Sequence, residues 1–150
     1  MLYLGFRIGD GRYAVRGRDV IQLIPRVTLR PVPLTPAGVA GLFTFRGEVV
    51  PAVDLAILLA GRPSNPALSS RIMIVSLEHT ERRRTIGLLA ERVTEVLQED
   101  ATPQVTVAVE PAPYLGDAIV CGGEVVQIIE PARLFSEELW QTLLPCTADA

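Results

Sequence analysis

Hydrophobic and polar positions alternate with a period of two through most of the chain. Leu2, Leu4, Phe6 and Ile8 alternate with Tyr3, Gly5 and Arg7, which predicts a half-buried strand. Asp10-Gly11 supplies a hairpin turn into a second strand, Arg12 to Arg16. Val20 to Val27 reads as extended, with Pro25 placing it at an edge or a bulge. Pro31, Pro33 and Pro36 predict a connector, because they cannot donate to a ladder. Gly41 to Phe45 and Glu48 to Val53 read as two strands around a turn at Arg46-Gly47. Asp54 is placed to cap a short helix, Leu55 to Ala60, which Gly61 closes. Arg62 to Ser70, with two prolines, an asparagine and three serines, predicts a mobile surface loop.

The second half continues the pattern. Ile72 to Leu77 is a near-continuous apolar run, as in a strand covered on both faces. His79 to Arg84 reads as a charged turn, and Thr85 to Ala90 and Val93 to Leu97 as strands. Thr102 to Ala112 is irregular. Ala118 to Cys121 and Glu124 to Ile129 flank Gly122-Gly123, a hairpin signal. Ser136-Glu137-Glu138 followed by Leu139, Trp140, Leu143 and Leu144 predicts an amphipathic helix over 136–144, stopped by Pro145. Roughly ten short strands with frequent turns predict an all-β barrel or sandwich.

Composition narrows the functional classes. The 150 residues suit one domain or two small units sharing a core. Hydrophobic residues at 49% and charged residues at 21% are a globular balance. A mean hydropathy of +0.33 leaves room for apolar surface reserved for partners. No apolar run is long enough to span a bilayer, and Met1 leads directly into a strand pattern with no basic leader. A cytoplasmic protein without direct membrane insertion is therefore expected. A net charge of −3 argues against nucleic acid. All 14 basic residues are arginine, the planar bidentate donor suited to interfaces. Cys121 and Cys146 have no metal-ligand spacing, so neither metal nor cofactor is expected.

The segment Gly41-Leu42-Phe43-Thr44-Phe45-Arg46-Gly47-Glu48-Val49-Val50-Pro51-Ala52-Val53-Asp54-Leu55 resembles the signature of the CheW-like family, the coupling proteins of chemotaxis-type signalling. It keeps the glycine, Arg46-Gly47, Pro51 and Asp54-Leu55 of that pattern. It departs at Thr44, where asparagine is usual, and at Phe45, where leucine is usual. Phe6-Arg7-Ile8-Gly9 with Tyr13-Ala14-Val15 resembles the family's opening hairpin. Ile86 to Leu97 resembles its late strand pair, with Glu91 where aspartate is more usual. Tyr114-Leu115-Gly116 and Glu124 to Ile129 resemble its closing hairpin.

The resemblance implies two SH3-like five-stranded β-barrels around a shared core with a short C-terminal helix. It implies a single domain over 1–150, the first barrel at about 10–65 and the second at about 1–9 plus 71–130. It implies a non-catalytic scaffold that joins the cytoplasmic tips of methyl-accepting receptors to the regulatory domain of a histidine kinase. On that reading Val20, Gln22, Leu23, Val39, Leu42, Arg46 and Glu48 are candidate partner contacts. Gly41, Gly47, Pro51 and Asp54 are candidate structural positions, the last three as turn, bulge and cap. An acidic residue is common in the family where Gln22 stands, which predicts a partner set distinct from a standard chemotaxis array.

The residues alone leave Arg46 open between bonding nearby carbonyls and contacting a partner; the resemblance favours the contact. Asp54 reads as a helix cap rather than a catalytic carboxylate, because no acid–base partner accompanies it. His79, beside Glu78 and Glu81, reads as a solvated turn residue. Two other functions remain to be weighed: a ligand-sensing module using the groove between the barrels, and a hydrolase using Glu48 with Asp54. A sensor requires a closed pocket with convergent polar groups, and a hydrolase requires both carboxylates in one cleft.

Overall fold

The computed structural model describes residues 2–33, 38–67, 69–79, 82–93, 95–98 and 114–135. Within them lie β1 (Leu2–Ile8), β2 (Gly11–Arg16), a 3₁₀ turn (Gly17–Asp19), β3 (Val20–Pro25), β4 (Val39–Phe45), β5 (Glu48–Asp54) and α1 (Leu55–Ala60). They continue with β6 (Arg71–His79), β7 (Arg82–Ala90), β8 (Glu95–Gln98), β9 (Leu115–Cys121), β10 (Glu124–Ile129) and a second 3₁₀ turn (Pro131–Arg133). The irregular stretch 102–112, the helix expected over 136–144 and Cys146 lie outside the described residues.

The strands form two five-stranded sheets, ordered β8-β1-β2-β10-β9 and β3-β6-β7-β5-β4. This partition differs from the expected halves. The hairpin β1–β2 stays whole and belongs with the C-terminal strands, and β6–β7 joins the sheet of β3, β4 and β5. The reason is the parallel pairing of β2 with β10 and of β7 with β5, which residue order does not announce.

The two sheets repeat one plan. Each has a hairpin (β1–β2 or β6–β7), a parallel partner (β10 or β5), that partner's own hairpin mate (β9 or β4) and an outer strand (β8 or β3). The mates are joined by two-residue turns with both residues at positive φ: Arg46 (51°) and Gly47 (79°), Gly122 (58°) and Gly123 (81°). Such turns match the twist of the flanking strands. The repeat is written in the sequence as Gly47-Glu48-Val49-Val50 and Gly123-Glu124-Val125-Val126.

Period-two alternation explains how one chain makes three cores. Phe6, Ile8, Val15 and Ile129 of the first sheet pack against Val53, Met73, Val75, Leu77, Ile86 and Leu88 of the second, with Leu55 and Ala56 of α1. Residues one position out of phase face the other way. Tyr3, Ala14, Leu97, Ile119, Val126 and Ile128 form the first sheet's own cluster. Phe43, Val50, Ala52, Ile72, Ile74 and Leu89 form the second's. The apolar run Ile72–Leu77 thus serves two cores at once, as a strand covered on both faces must.

Several local expectations shift. The first turn is Gly9-Asp10, one residue earlier, because Ile8 pairs with Gly11. His79–Arg84 is not simply a turn: β6 runs to His79 and β7 starts at Arg82, with Glu78 opposite Arg83 and Leu77 opposite Arg84. The register shift of the β4–β5 hairpin falls between Val39 and Gly41, so Pro51 is not itself at a bulge. It lies buried inside β5, opposite Leu42, one residue before the pairing with β7 begins at Ala52. It therefore stands where β5 has only its β4 neighbour, and its missing N–H breaks no bond to β7.

The loop from Arg62 to Ser70 is anchored rather than mobile. Ser64 donates both its backbone N–H (2.9 Å) and its hydroxyl (3.0 Å) to Asp54 Oδ2. Arg62 grips Glu91 with two nitrogens, at 2.6 and 3.0 Å, and the Asn65 N–H donates to the same carboxylate. Glu91 is fully buried while Arg62 remains 42% exposed. The Arg62 hydrogen bond holds the Glu91 carboxyl below its ordinary range, against the opposing effect of burial. A depressed folded pKa contributes stability above the ordinary carboxylate value and loses it as pH falls through the folded value. The melting temperature should therefore fall on acidification through that range, and Glu91→Gln should flatten this acid limb while lowering stability at neutral pH. Melting curves across pH on the two proteins check it.

Candidate functional site: the edge strands of the second sheet

β3 and β4 are the two edges of the second sheet, yet two contacts bring them together. The connector after β3 returns to β4, where Arg30 and Leu42 exchange backbone hydrogen bonds of 2.8 Å in each direction. At the other end, Arg46 in the β4–β5 turn donates to Gln22 Oε1 of β3 at 2.9 Å. The Arg46 guanidinium also lies over the Phe45 ring, 4.9 Å from its centroid. Beside the Arg30 bridge is a cleft of about 420 Å³ lined by Val27 to Arg30 and Leu42 to Thr44.

The candidate contacts divide on this frame. Gln22, Leu23, Arg46 and Glu48 are exposed, and the structure brings Gln22 and Arg46 into direct contact. Leu42 is half-buried and lines the cleft. Val20 and Val39 are also half-buried, but they pack against the core shared by the two sheets. Val20 pairs with Val75 and Val39 with Val53, both residues of that shared core.

Two exposed apolar residues were not singled out by sequence reasoning. Ile21 sits at a register shift in β3 between Val20 and Gln22, which turns it out of the alternation. Val49 lies 56% exposed on β5 opposite Thr44. The signal for Val49 was the repeated Gly-Glu-Val-Val, since Val125 of the second copy is equally turned out and faces Val120.

Comparing the two copies explains Glu48. Its counterpart Glu124 is held by Arg7 (3.0 Å) and Arg12 (2.8 Å), whose charge holds the Glu124 carboxyl below its ordinary range. Register places Ser76 and Thr85 of the second sheet where Arg7 and Arg12 stand in the first. Among the described residues no ion pair involves Glu48 or Arg46.

Asp54 is 2% exposed, and its oxygens receive the Ala56 N–H that caps α1 (3.0 Å) and both Ser64 donors. Those bonds commit the carboxylate to structure, and Glu48 lies at the far end of β5. The hydrolase reading is removed on this geometry. Among the described residues no group of three or more histidine, cysteine or acidic side chains is placed to hold a metal ion. A second cleft, of about 380 Å³, lies where the sheets meet. It is lined by charges of both signs, including Arg16, Arg18, Asp19, Glu78, Arg83 and Glu130. Arg16 and Glu130 there already pair with each other at 2.6 Å.

Comparison with known proteins matches this arrangement. The family model of the CheW-like domain covers residues 2–139. A probable chemotaxis protein CheW of Rhizobium etli is 27% identical over 139 residues, covering 89% of this chain and 86% of that one. The chemotaxis protein CheW of Treponema pallidum is 25% identical over 92% of this chain and 84% of its own. Protein FrzA of Myxococcus xanthus is 38% identical over a shorter stretch, 37% of this chain and 34% of its own. Among solved structures, the scaffolding protein TtCheW of Thermoanaerobacter tengcongensis shares the fold, with a TM-score of 0.69 at 23% identity over 85% of this chain and 82% of that one. The chain belongs to the CheW-like family, the coupling adaptors of chemotaxis-type signalling.

Proposed function

We propose that this adaptor is non-catalytic, works in the cytoplasm and is recruited to membrane-associated receptor arrays. It joins the regulatory domain of a chemotaxis-type histidine kinase to the cytoplasmic tips of methyl-accepting receptors. Membership of the family supports the coupling role. Among the described residues no helix is long and apolar enough to cross a membrane. The partner face consists of β3 and the β4–β5 hairpin, with Leu23, Ile21 and Val49 as exposed apolar contacts and Gln22, Arg46 and Glu48 as the polar ones.

The observation that carries this face is the backbone of Arg46. A left-handed conformation costs a residue with a side chain about 1–2 kcal/mol. The counterpart position in the first sheet is Gly122, for which that conformation carries no steric cost. A strained, exposed arginine at the tip of a rigid hairpin is the kind of outlier that marks a contact site. A small-ligand sensor would rest instead on the cleft between the sheets. Its charges are balanced in sign and partly paired within the chain, which gives that reading less support.

The test is retention of the kinase regulatory domain and receptor tips by the wild type and by Arg46→Glu. The wild type should bind, and the charge reversal should weaken binding about tenfold or more without changing the melting temperature, because the side chain is exposed. A wild type that retains neither partner overturns the adaptor reading. A variant that binds as well as the wild type removes Arg46 from the partner face.

A further inference from the structure

Four arginines of this chain are held by carboxylates. Arg7 and Arg12 share Glu124, Arg16 holds Glu130 and Arg62 holds Glu91. Arg46, like Arg26 on the Ser64 hydroxyl, is held by a neutral group: its guanidinium bonds the amide oxygen of Gln22 and lies over the face of Phe45. Both contacts orient the cation, and neither neutralises it. Both Gln22 and Arg46 are exposed, so water or a partner can replace the bond.

The register shows why the amide stands there. Gln22 lies opposite Ile74, in the position that Glu95 occupies opposite Gly5 in the first sheet. Glu95 has glycine at the matching turn position, Gly122, whereas Gln22 has Arg46. A carboxylate at position 22 would lie within reach of Arg46 and form an internal ion pair.

Resting on the proposed partner face, we infer that Gln22 is its specificity-determining residue and that the partner presents a carboxylate to Arg46. In the free protein the amide acts as a neutral latch. It keeps the guanidinium oriented across the gap between the two edge strands while leaving its charge available. A partner carboxylate displaces the amide and gains a charge-assisted bond, which is stronger than the neutral one it replaces. Glu48, paired with Phe45 across the β4–β5 turn and without an ion pair among the described residues, repels carboxylates presented on its own side. The acceptable approach is therefore from β3.

The experiment uses the full chain as wild type, Gln22→Glu and Gln22→Ala. In the free protein, NMR of the arginine guanidinium N–H groups reads the latch. The Arg46 signals should show hindered rotation in the wild type and in Gln22→Glu, and free rotation in Gln22→Ala. Identical Arg46 signals in the wild type and Gln22→Ala overturn the latch. Against the kinase regulatory domain and the receptor tips, Gln22→Glu should weaken binding about fivefold and reduce its salt dependence, because the new carboxylate competes for Arg46. Gln22→Ala should bind at least as well as the wild type.

Undiminished binding by Gln22→Glu overturns the specificity role. Equal weakening by Gln22→Ala and Gln22→Glu overturns it too, since the amide itself would then touch the partner. A short glutamate-rich peptide added to the free protein gives an arm that does not depend on the partners. It should shift the Arg46 signals in the wild type and less in Gln22→Glu; an equal response in the two overturns the inference. If the wild type retains no partner, the adaptor reading fails and the peptide arm decides the latch.

Discussion

Replacing Asp54 by alanine should lower the stability of this protein by about 3 kcal/mol, the sum expected from a lost cap and buried donors left without an acceptor. The carboxylate receives three hydrogen bonds: the Ala56 N–H at the start of α1, and the N–H and hydroxyl of Ser64. Alanine leaves two backbone donors with no acceptor in a site that is 2% exposed. Arg26 reaches the same Ser64 hydroxyl at 2.8 Å, so the loss spreads to the connector after β3. A fall in melting temperature of roughly 10 °C is expected for a chain of this length. Asp54→Asn keeps one acceptor oxygen for the cap and should lose less. Thermal and denaturant unfolding of the three proteins checks the order, and a change below about 1 kcal/mol in Asp54→Ala would refute it.

The second large effect is at Gly41. Its φ is +151°, and a Cβ there would lie 2.6 Å from the carbonyl oxygen of Arg30 and 3.1 Å from Leu29 Cβ. The obstacle is backbone, which cannot swing aside as a flexible side chain would. Gly41→Val should therefore drive Arg30 away from Leu42 and break their reciprocal hydrogen bonds, costing about 3 kcal/mol or more. The control is Gly47→Ala. Gly47 also has a positive φ, +79°, but nothing lies within 4 Å of its added Cβ, so its cost should be only about 1 kcal/mol of backbone strain. Hydrogen exchange separates the two variants. The Arg30 and Leu42 amides should lose protection in Gly41→Val and keep it in Gly47→Ala.

These two sites show how the signature segment divides its work. Asp54 was legible as a cap because the residue type, the apolar run after it and Gly61 all point to the same six-residue helix. Gly41 was legible as a position that matters, but its reason was not. The reason is a carbonyl of Arg30, eleven positions earlier, and no local pattern reports the approach of one backbone to another. The loop after α1 was misread for the same cause. Prolines and serines at positions 63 to 70 look like free surface. They are tied down by Glu91 and Asp54, acidic residues that give no sign in sequence of facing inward.

The candidate contacts were sorted by register. Val20 and Leu23 are both apolar and three residues apart on one strand, so strict alternation puts them on opposite faces. The register shift between Val20 and Gln22 instead sets both opposite residues of the shared core, Val75 and Met73, and Leu23 is nonetheless 41% exposed on this edge strand. Period-two reasoning cannot anticipate this, because one slipped residue exchanges the faces.

The sequence by itself determined the strands, the two glycine-containing hairpin turns, the cap on α1 and membership of a coupling family. The strands, the turns and the cap follow from short-range chemistry, namely alternation, φ preferences at glycine and a carboxylate beside free N–H groups; the family was implied by the resemblance of the segment Gly41 to Leu55. Only the tertiary structure decided that the chain pairs β2 with β10 and β7 with β5, and so divides into two copies of one plan. It alone decided that Arg46 meets Gln22, because those residues lie on opposite edges of a sheet and are brought together only when β3's connector returns to β4. The physical reason is that parallel and edge-to-edge contacts are fixed by the burial of three cores together, and that sum is not written in any one segment.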